Sequence, residues 1–201
     1  MMKSVLYLTC AIFLSVHHPE KGMPIEPGAA IPLPDATWTD VSGKEVSLNS
    51  IKSNNGLLVV FAGNHCPYMQ RNQIRLHQVC SFAHRNNIGV VMVNSNEDER
   101  TTTESFAAMK AYAAEQKFSW HYIIDKKAAL AAAFDAERIP ECYLFDKTGR
   151  LVYKGAVDDN PGNADAVKIH YLQNAINEIL GGKSVSVSTS SNTGCSIRRS
   201  L

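Results

Sequence analysis

The chain has 201 residues, 45% of them hydrophobic and 19% charged. That is enough apolar material for one packed core, and it rules out a disordered chain. Lys and Arg number 20 against 19 Asp and Glu, a formal net charge of +1, so neither a nucleic-acid-binding surface nor a polybasic membrane-binding face is expected. Five cysteines are too few for a disulfide-knitted scaffold.

In chain order, Lys3 followed by the apolar run at 5–16 (VLYLTCAIFLSV) reads as an export leader. Residues 1–22 are then a signal peptide or N-terminal anchor whose twelve-residue apolar run is too short for a bilayer-spanning helix. Cys10 lies inside this run rather than at its end, which argues against a lipoprotein anchor. Pro24, Pro27, Gly28, Pro32 and Pro34 predict a linker over 23–34. Alternating runs around Ser42-Gly43-Lys44 predict a hairpin within 35–48. The continuous apolar stretch at 57–62 (LLVVFA) predicts a strand buried on both faces. A helix is expected over 66–85, a second buried strand over 88–93, a helix over 103–116 and a strand over 119–124. The Ala-rich segment at 126–134 predicts a helix. Strands at 142–145 and 150–154 flank an Asp146-Lys147-Thr148-Gly149 turn. A last helix over 164–180 stops at Gly181-Gly182. Residues 183–201, rich in Ser and Thr, predict a mobile tail that carries Cys195.

This alternation predicts an α/β domain over 35–182, with a central mixed sheet and helices on both faces. Chemistry in such sheets gathers beyond the C-terminal ends of the parallel strands, which here means Gly63-Asn64-His65-Cys66-Pro67-Tyr68-Met69. Cys66 falls where a buried strand gives way to a helix, and Pro67 suits the first helical turn. The unpaired N–H groups and the dipole of a helix N-terminus favour a thiolate, and His65 could add positive charge. Cys66 is therefore the candidate nucleophile, expected to be partly exposed, with Asn64, His65, Pro67, Tyr68 and Met69 around it.

The stretch from Phe61 to Met69 (FAGNHCPYM), together with Ile139-Pro140 before CYLFD, resembles the thioredoxin superfamily and within it the peroxiredoxin-like (AhpC/TSA, redoxin) branch. Val93-Asn94-Ser95-Asn96, Leu151 to Gly155 (LVYKG), Asp158-Asp159 and Gly194-Cys195-Ser196-Ile197 extend the resemblance over nearly the whole chain after the leader. It implies a thioredoxin-like fold. It makes Cys66 the counterpart of the first cysteine of a C-x-x-C pair, and Pro140 a cis-proline lying against it. The second cysteine position holds Met69, so a dithiol cycle through 66 and 69 is excluded. In the peroxiredoxin pattern P-x-x-x-[ST]-x-x-C, the hydroxyl position is Gly63 and the proline position Val59, so the hydroxyl that helps hold a peroxide is missing.

The resulting expectation is a thiol-dependent oxidoreductase, an antioxidant protein that reduces peroxides or disulfides through Cys66 and needs an external thiol reductant. No cofactor, metal or nucleic acid is expected. A second thiol must clear the product. Cys80 lies fourteen residues along the same helix, roughly 21 Å away at 1.5 Å per residue, and reads as core. Cys142, just after Pro140, and Cys195, on a tail with a reach of up to ~50 Å, are both candidate resolving thiols. A glutathione-like or thioredoxin-like partner is the alternative. The competing functions are a catalytically weak thioredoxin-fold binding protein and a soft-metal (copper) handling protein that uses Cys66, Met69 and His65. Asp158 and Asp159 read as a solvated loop.

Overall fold

The computed structural model describes residues 24–199. The expected leader at 1–22 lies outside them. Among the described residues, no helix is long and apolar enough to cross a membrane.

The sheet is set by two strands, β3 (Leu57–Phe61) and β4 (Gly89–Asn94), in which every residue is buried. They pair in parallel, Leu57 opposite Gly89 through Phe61 opposite Val93. A parallel pair requires a crossover, supplied by the 19-residue helix α2 (Pro67–Arg85). Strand β5 (His121–Ile124) adds in parallel to β4. On the other side β7 (Glu141–Phe145) runs antiparallel to β3, and β8 (Leu151–Gly155) antiparallel to β7. The order is β5-β4-β3-β7-β8.

Because side chains alternate along a strand, each central strand feeds two cores. Leu58, Val60, Val90 and Met92 face the layer of α2, α3 (Phe106–Glu115) and α5 (Tyr171–Leu180). Leu57, Val59, Phe61, Val91 and Val93 face α1 (Leu48–Ile51) and α4 (Ala129–Phe134). This is a thioredoxin-like α/β fold with helices on both faces, as expected.

The expected hairpin is β1 (Thr37–Thr39) with β2 (Glu45–Ser47). The turn between β7 and β8 forms where expected. The Asp146 carboxylate accepts from the Thr148 and Arg150 main-chain N–H groups, and Gly149 takes a φ of 77°.

Several expectations need correction. The Pro/Gly-rich segment is not a free linker. Gly28 N–H donates to the Leu151 carbonyl, Leu151 N–H to that of Ala29, and Lys154 Nζ to that of Ile25. Proline only denies the chain a helix here; it leaves the carbonyls free to line β8. The helix expected over 164–180 is a short 3₁₀ turn, Ala164–Ala166, capped by the Asn163 side chain, and then α5. The helix expected over 126–134 breaks at Lys127 and Ala128, both of positive φ. The kink lets the Asp125 carboxylate accept from the Leu130 and Ala131 N–H groups at the start of α4. The helix expected from 103 starts only at Phe106, with the Ser105 side chain as its N-cap.

Asp40 joins the hairpin to β5. It is 5% exposed, and its carboxylate accepts from the Ser42 and Tyr122 main-chain N–H groups and faces Nδ1 of His121. Burial alone would raise its pKa. The bonds from His121, Ser42 and Tyr122 outweigh burial and hold the carboxyl well below the usual carboxylate range. A depressed folded-state pKa stabilises the fold above the unfolded value of about 4, and that contribution is lost as pH falls through the window below it. Asp40→Asn is expected to cost ~1–2 kcal/mol at pH 7, and its gap to wild type should narrow as pH drops below about 4. Urea denaturation across pH 2.5–7 checks this.

Candidate active site

The chain leaves β3 at Phe61, and Ala62 N–H still pairs with the Val93 carbonyl. Residues 63–65 then turn into α2. Cys66 is the N-cap of that helix, extended at φ −93° and ψ 123°, and Pro67 follows in the first turn. The sulfur thus sits beside N–H groups that no helical carbonyl reaches. It is bonded to Cys195 Sγ at 2.01 Å, with a Cα–Cα distance of 6.2 Å, within the range a disulfide spans.

Cys195 is placed by a strand pair that sequence reasoning missed. The two residues of β9 (Cys195–Ser196) run antiparallel to β6 (Arg138–Ile139), with Cys195 opposite Ile139. The next peptide bond, Ile139–Pro140, is cis. Cys66 Sγ packs 3.4 Å from the Ile139 carbonyl oxygen. A disulfide sulfur carries no proton, so this is a packing contact. Gly194 is required by the same approach, since a Cβ there would lie 2.3 Å from the Ile139 oxygen.

The tail expected to be mobile is tied down between Ser186 and Arg198. Ser190 N–H donates to the Lys154 carbonyl, and its hydroxyl accepts from Ala156 N–H and meets the Tyr153 hydroxyl at 2.8 Å. Asn192 Nδ2 donates to the Pro140 carbonyl at 2.8 Å. Ile197 N–H reaches the Glu137 carbonyl. The small polar residues that read as flexibility supply hydrogen bonds and close approach.

The other sequence-derived residues divide. Cys66 is 5% exposed, which corrects the expectation of a partly exposed thiol: the tail covers it. Pro140 is buried beside it. Met69 is buried in the core; His65 and Pro67 are exposed; Tyr68 is half-buried, with the Arg71 guanidinium 5.6 Å from its ring. Cys66, His65 and Met69 therefore point into different surroundings. Among the described residues, no group of three His, Cys, Asp or Glu side chains could hold a metal ion. Cys142, the other candidate resolving thiol, is not bonded to Cys66. It is a free thiol with no exposure, opposite Val60 on β7, and burial pushes its pKa well up. Cys80 is likewise free, fully buried and raised by burial. Asp158 is not solvated: it is 2% exposed and ion-paired with Arg75 Nε at 2.6 Å. Asp159 is exposed.

Sequence reasoning also missed Glu104. Its carboxylate, 1% exposed, accepts from Asn64 N–H at 3.0 Å and from Asn94 Nδ2 at 2.6 Å. Asn64 Oδ1 in turn accepts from the Tyr122 hydroxyl. A Cβ on Gly63 would lie 2.9 Å from Asn96 Nδ2 and 3.0 Å from Glu104 Oε1. The glycine that costs the chain a peroxiredoxin hydroxyl thus makes room for this cluster. The available signal was Asn94-Ser95-Asn96, three polar residues closing an otherwise apolar buried strand.

The site predicts a strong effect from Gly194→Ala. With the β6–β9 approach blocked, mild oxidation should give markedly less Cys66–Cys195 crosslink by non-reducing peptide mapping, while the far-UV spectrum stays unchanged.

Comparison with known proteins places the chain beside a family model, solved structures and a curated relative. The Redoxin family model matches residues 27–169. A solved structure of an uncharacterized conserved protein from Geobacillus kaustophilus is similar at 29% identity and a TM-score of 0.81, covering 89% of this chain and 98% of that one. A hypothetical protein from Sinorhizobium meliloti 1021 is similar at 28% and 0.80, covering 89% and 97%. Among curated proteins, the thiol-disulfide oxidoreductase ResA of Bacillus cereus (strain ZK / E33L) is 21% identical over 121 residues. That match covers 60% of this chain and 65% of the relative's length.

Proposed function

Since the chain belongs to the Redoxin family, we propose that it is a thiol–disulfide oxidoreductase whose working pair is Cys66 and Cys195. The observation that carries this reading is the bond between these two sulfurs at the N-terminus of α2.

The reduced Cys66 thiolate attacks one sulfur of a substrate disulfide. A Cys66–substrate disulfide forms, and the other substrate sulfur leaves as a thiolate. The Cys195 thiolate then attacks Cys66 Sγ, closing the internal disulfide and releasing the second substrate thiolate. An external reductant, one thioredoxin-like dithiol or two glutathione-like monothiols, reverses the closure. One reductant thiolate attacks Cys195, which is more exposed than Cys66, and Cys66 leaves as the thiolate the helix terminus favours. A second reductant thiolate then attacks the reductant sulfur of that mixed disulfide, Cys195 leaves as a thiolate, and the reductant departs as its disulfide. On this reading the substrate disulfide approaches Cys66 beside the Ile139 carbonyl, 3.4 Å from its sulfur, and the adjoining Pro140.

Disulfide rather than peroxide is the favoured oxidant. A peroxide would oxidise Cys66 to a sulfenic acid, which Cys195 would condense with, releasing water. That route lacks its usual hydroxyl at position 63, where the Glu104 carboxylate stands close by instead. Export suits this chemistry and is supported by Lys3 and the apolar run at 5–16.

Turnover of a glutathionylated peptide separates the roles. Cys66→Ser should abolish it. Cys195→Ser should trap glutathione on Cys66, visible by mass spectrometry. Equal turnover in both variants and wild type would remove the reading. A peroxide turnover exceeding disulfide turnover would reverse the choice of oxidant.

A further inference from the structure

Glu104 is a buried carboxylate that the exchange chemistry leaves unused, and it sits between the two elements that must meet. On one side it fixes the loop that delivers Cys66. Both its oxygens lie 3.0 Å from Asn64 N–H, and Asn64 Nδ2 donates to the Thr103 carbonyl at 2.9 Å. On the other side Asn96 Nδ2 approaches Glu104 Oε1 at 3.4 Å, and the side-chain oxygen Asn96 Oδ1 accepts from Arg198 N–H at 3.0 Å. Arg198 stands three residues beyond Cys195. Its own carbonyl accepts from Asp98 N–H, and its guanidinium pairs with Glu99 at 2.6 Å. Asn96 is 5% exposed, and its main-chain N–H is held by Asn94 Oδ1 at 3.2 Å.

We propose that Asn96 and Glu104 form a positioning node that sets the register of Cys195 over Cys66, with Asn96 as the residue shared by loop and tail. The inference rests on the reading that these two cysteines are the working pair. A side-chain amide offers a donor and an acceptor on opposite edges. It can therefore serve a carboxylate and a main-chain N–H at once; a carboxylate in its place can serve only the tail. The tolerance is small. The cysteine Cα atoms are 6.2 Å apart, and a disulfide cannot bridge separations much beyond about 7 Å. A slip of roughly one ångström at the tail takes the sulfurs out of reach.

The test is the equilibrium between the Cys66–Cys195 disulfide and a glutathione redox buffer. Asn96→Ala should shift it toward the dithiol by about fivefold to tenfold, the weight of one net hydrogen bond. Arg198→Pro lies in the tail, away from the core. It removes the N–H that Asn96 accepts and an exposed ion pair, fixes φ at that residue and restricts Ile197, and should shift the equilibrium at least as far. Arg198→Ala, which keeps that N–H, should stay within about twofold. In a Cys195→Ser background, Arg198→Pro should raise the alkylation rate of Cys66, because a tail released from the node no longer covers that sulfur; an unchanged rate would mean that the Arg198 N–H does not hold the tail in place. If the disulfide forms but Asn96→Ala and Arg198→Pro both leave the equilibrium within twofold of wild type, the node has no positioning role and the redox reading stands. If wild type forms no such disulfide, the redox reading itself falls.

Discussion

Two cysteines separated by 129 residues are held with their Cα atoms 6.2 Å apart, and the rest of the site depends on that closure. In an unfolded chain a loop of that length costs roughly 5 kcal/mol of entropy to close. The folded chain reaches it in two stages. The sheet sets β3 beside β7, with Phe61 opposite Glu141, so the exit of β3 and the residues before β7 share one edge. The tail then adds β9 to β6 on that edge. The first stage is core packing. The second rests on hydrogen bonds and close contacts at single positions, so it is the more easily undone.

That edge is polar although it is buried. Asn94, Ser95, Asn96, Glu104 and Asp125 all lie below the surface where β4 ends. Burial of a carboxylate is tolerable only when donors replace water. Glu104 has the Asn64 main chain and the Asn94 amide; Asp125 has two N–H groups and the Ser95 hydroxyl. Burial is the larger influence on Asp125, and its pKa is raised despite those donors. Such networks fix one geometry because a partly satisfied member is costly. The left-handed residues Lys127 and Ala128 are local strain accepted so that Asp125 can cap α4.

The parts of the fold decided by apolar pattern were legible in the sequence. The runs at 57–62 and 88–93 have no place but the middle of a sheet, and Pro67 after a buried strand marks the helix that presents Cys66. What was not legible was decided by single polar contacts between distant segments. Nothing near Ser190 in the sequence indicates that its hydroxyl meets Tyr153. The pairing of Cys195 with Ile139 joins segments far apart in the chain, and two-residue strands carry no periodicity to read. Glu104 was hidden for the same reason: an isolated Glu among threonines looks like surface. Composition also misled at Asp158, where proximity to Asp159 suggested solvent and the partner, Arg75, lies on a distant helix.

The tail's anchoring turns its length into a ruler. Ser190, Asn192, Gly194, Cys195 and Arg198 each have a fixed mate on the body of the domain, so the spacers between them hold no slack. A residue inserted between Ser190 and Cys195 would shift the alternation by one and turn the sulfur to the opposite side of its strand. Before Ser186 the path is looser, turning at Gly182 with a φ of 69° over open space. Length variation among related chains should therefore gather between the end of α5 and Ser186 and be absent from the last spacers.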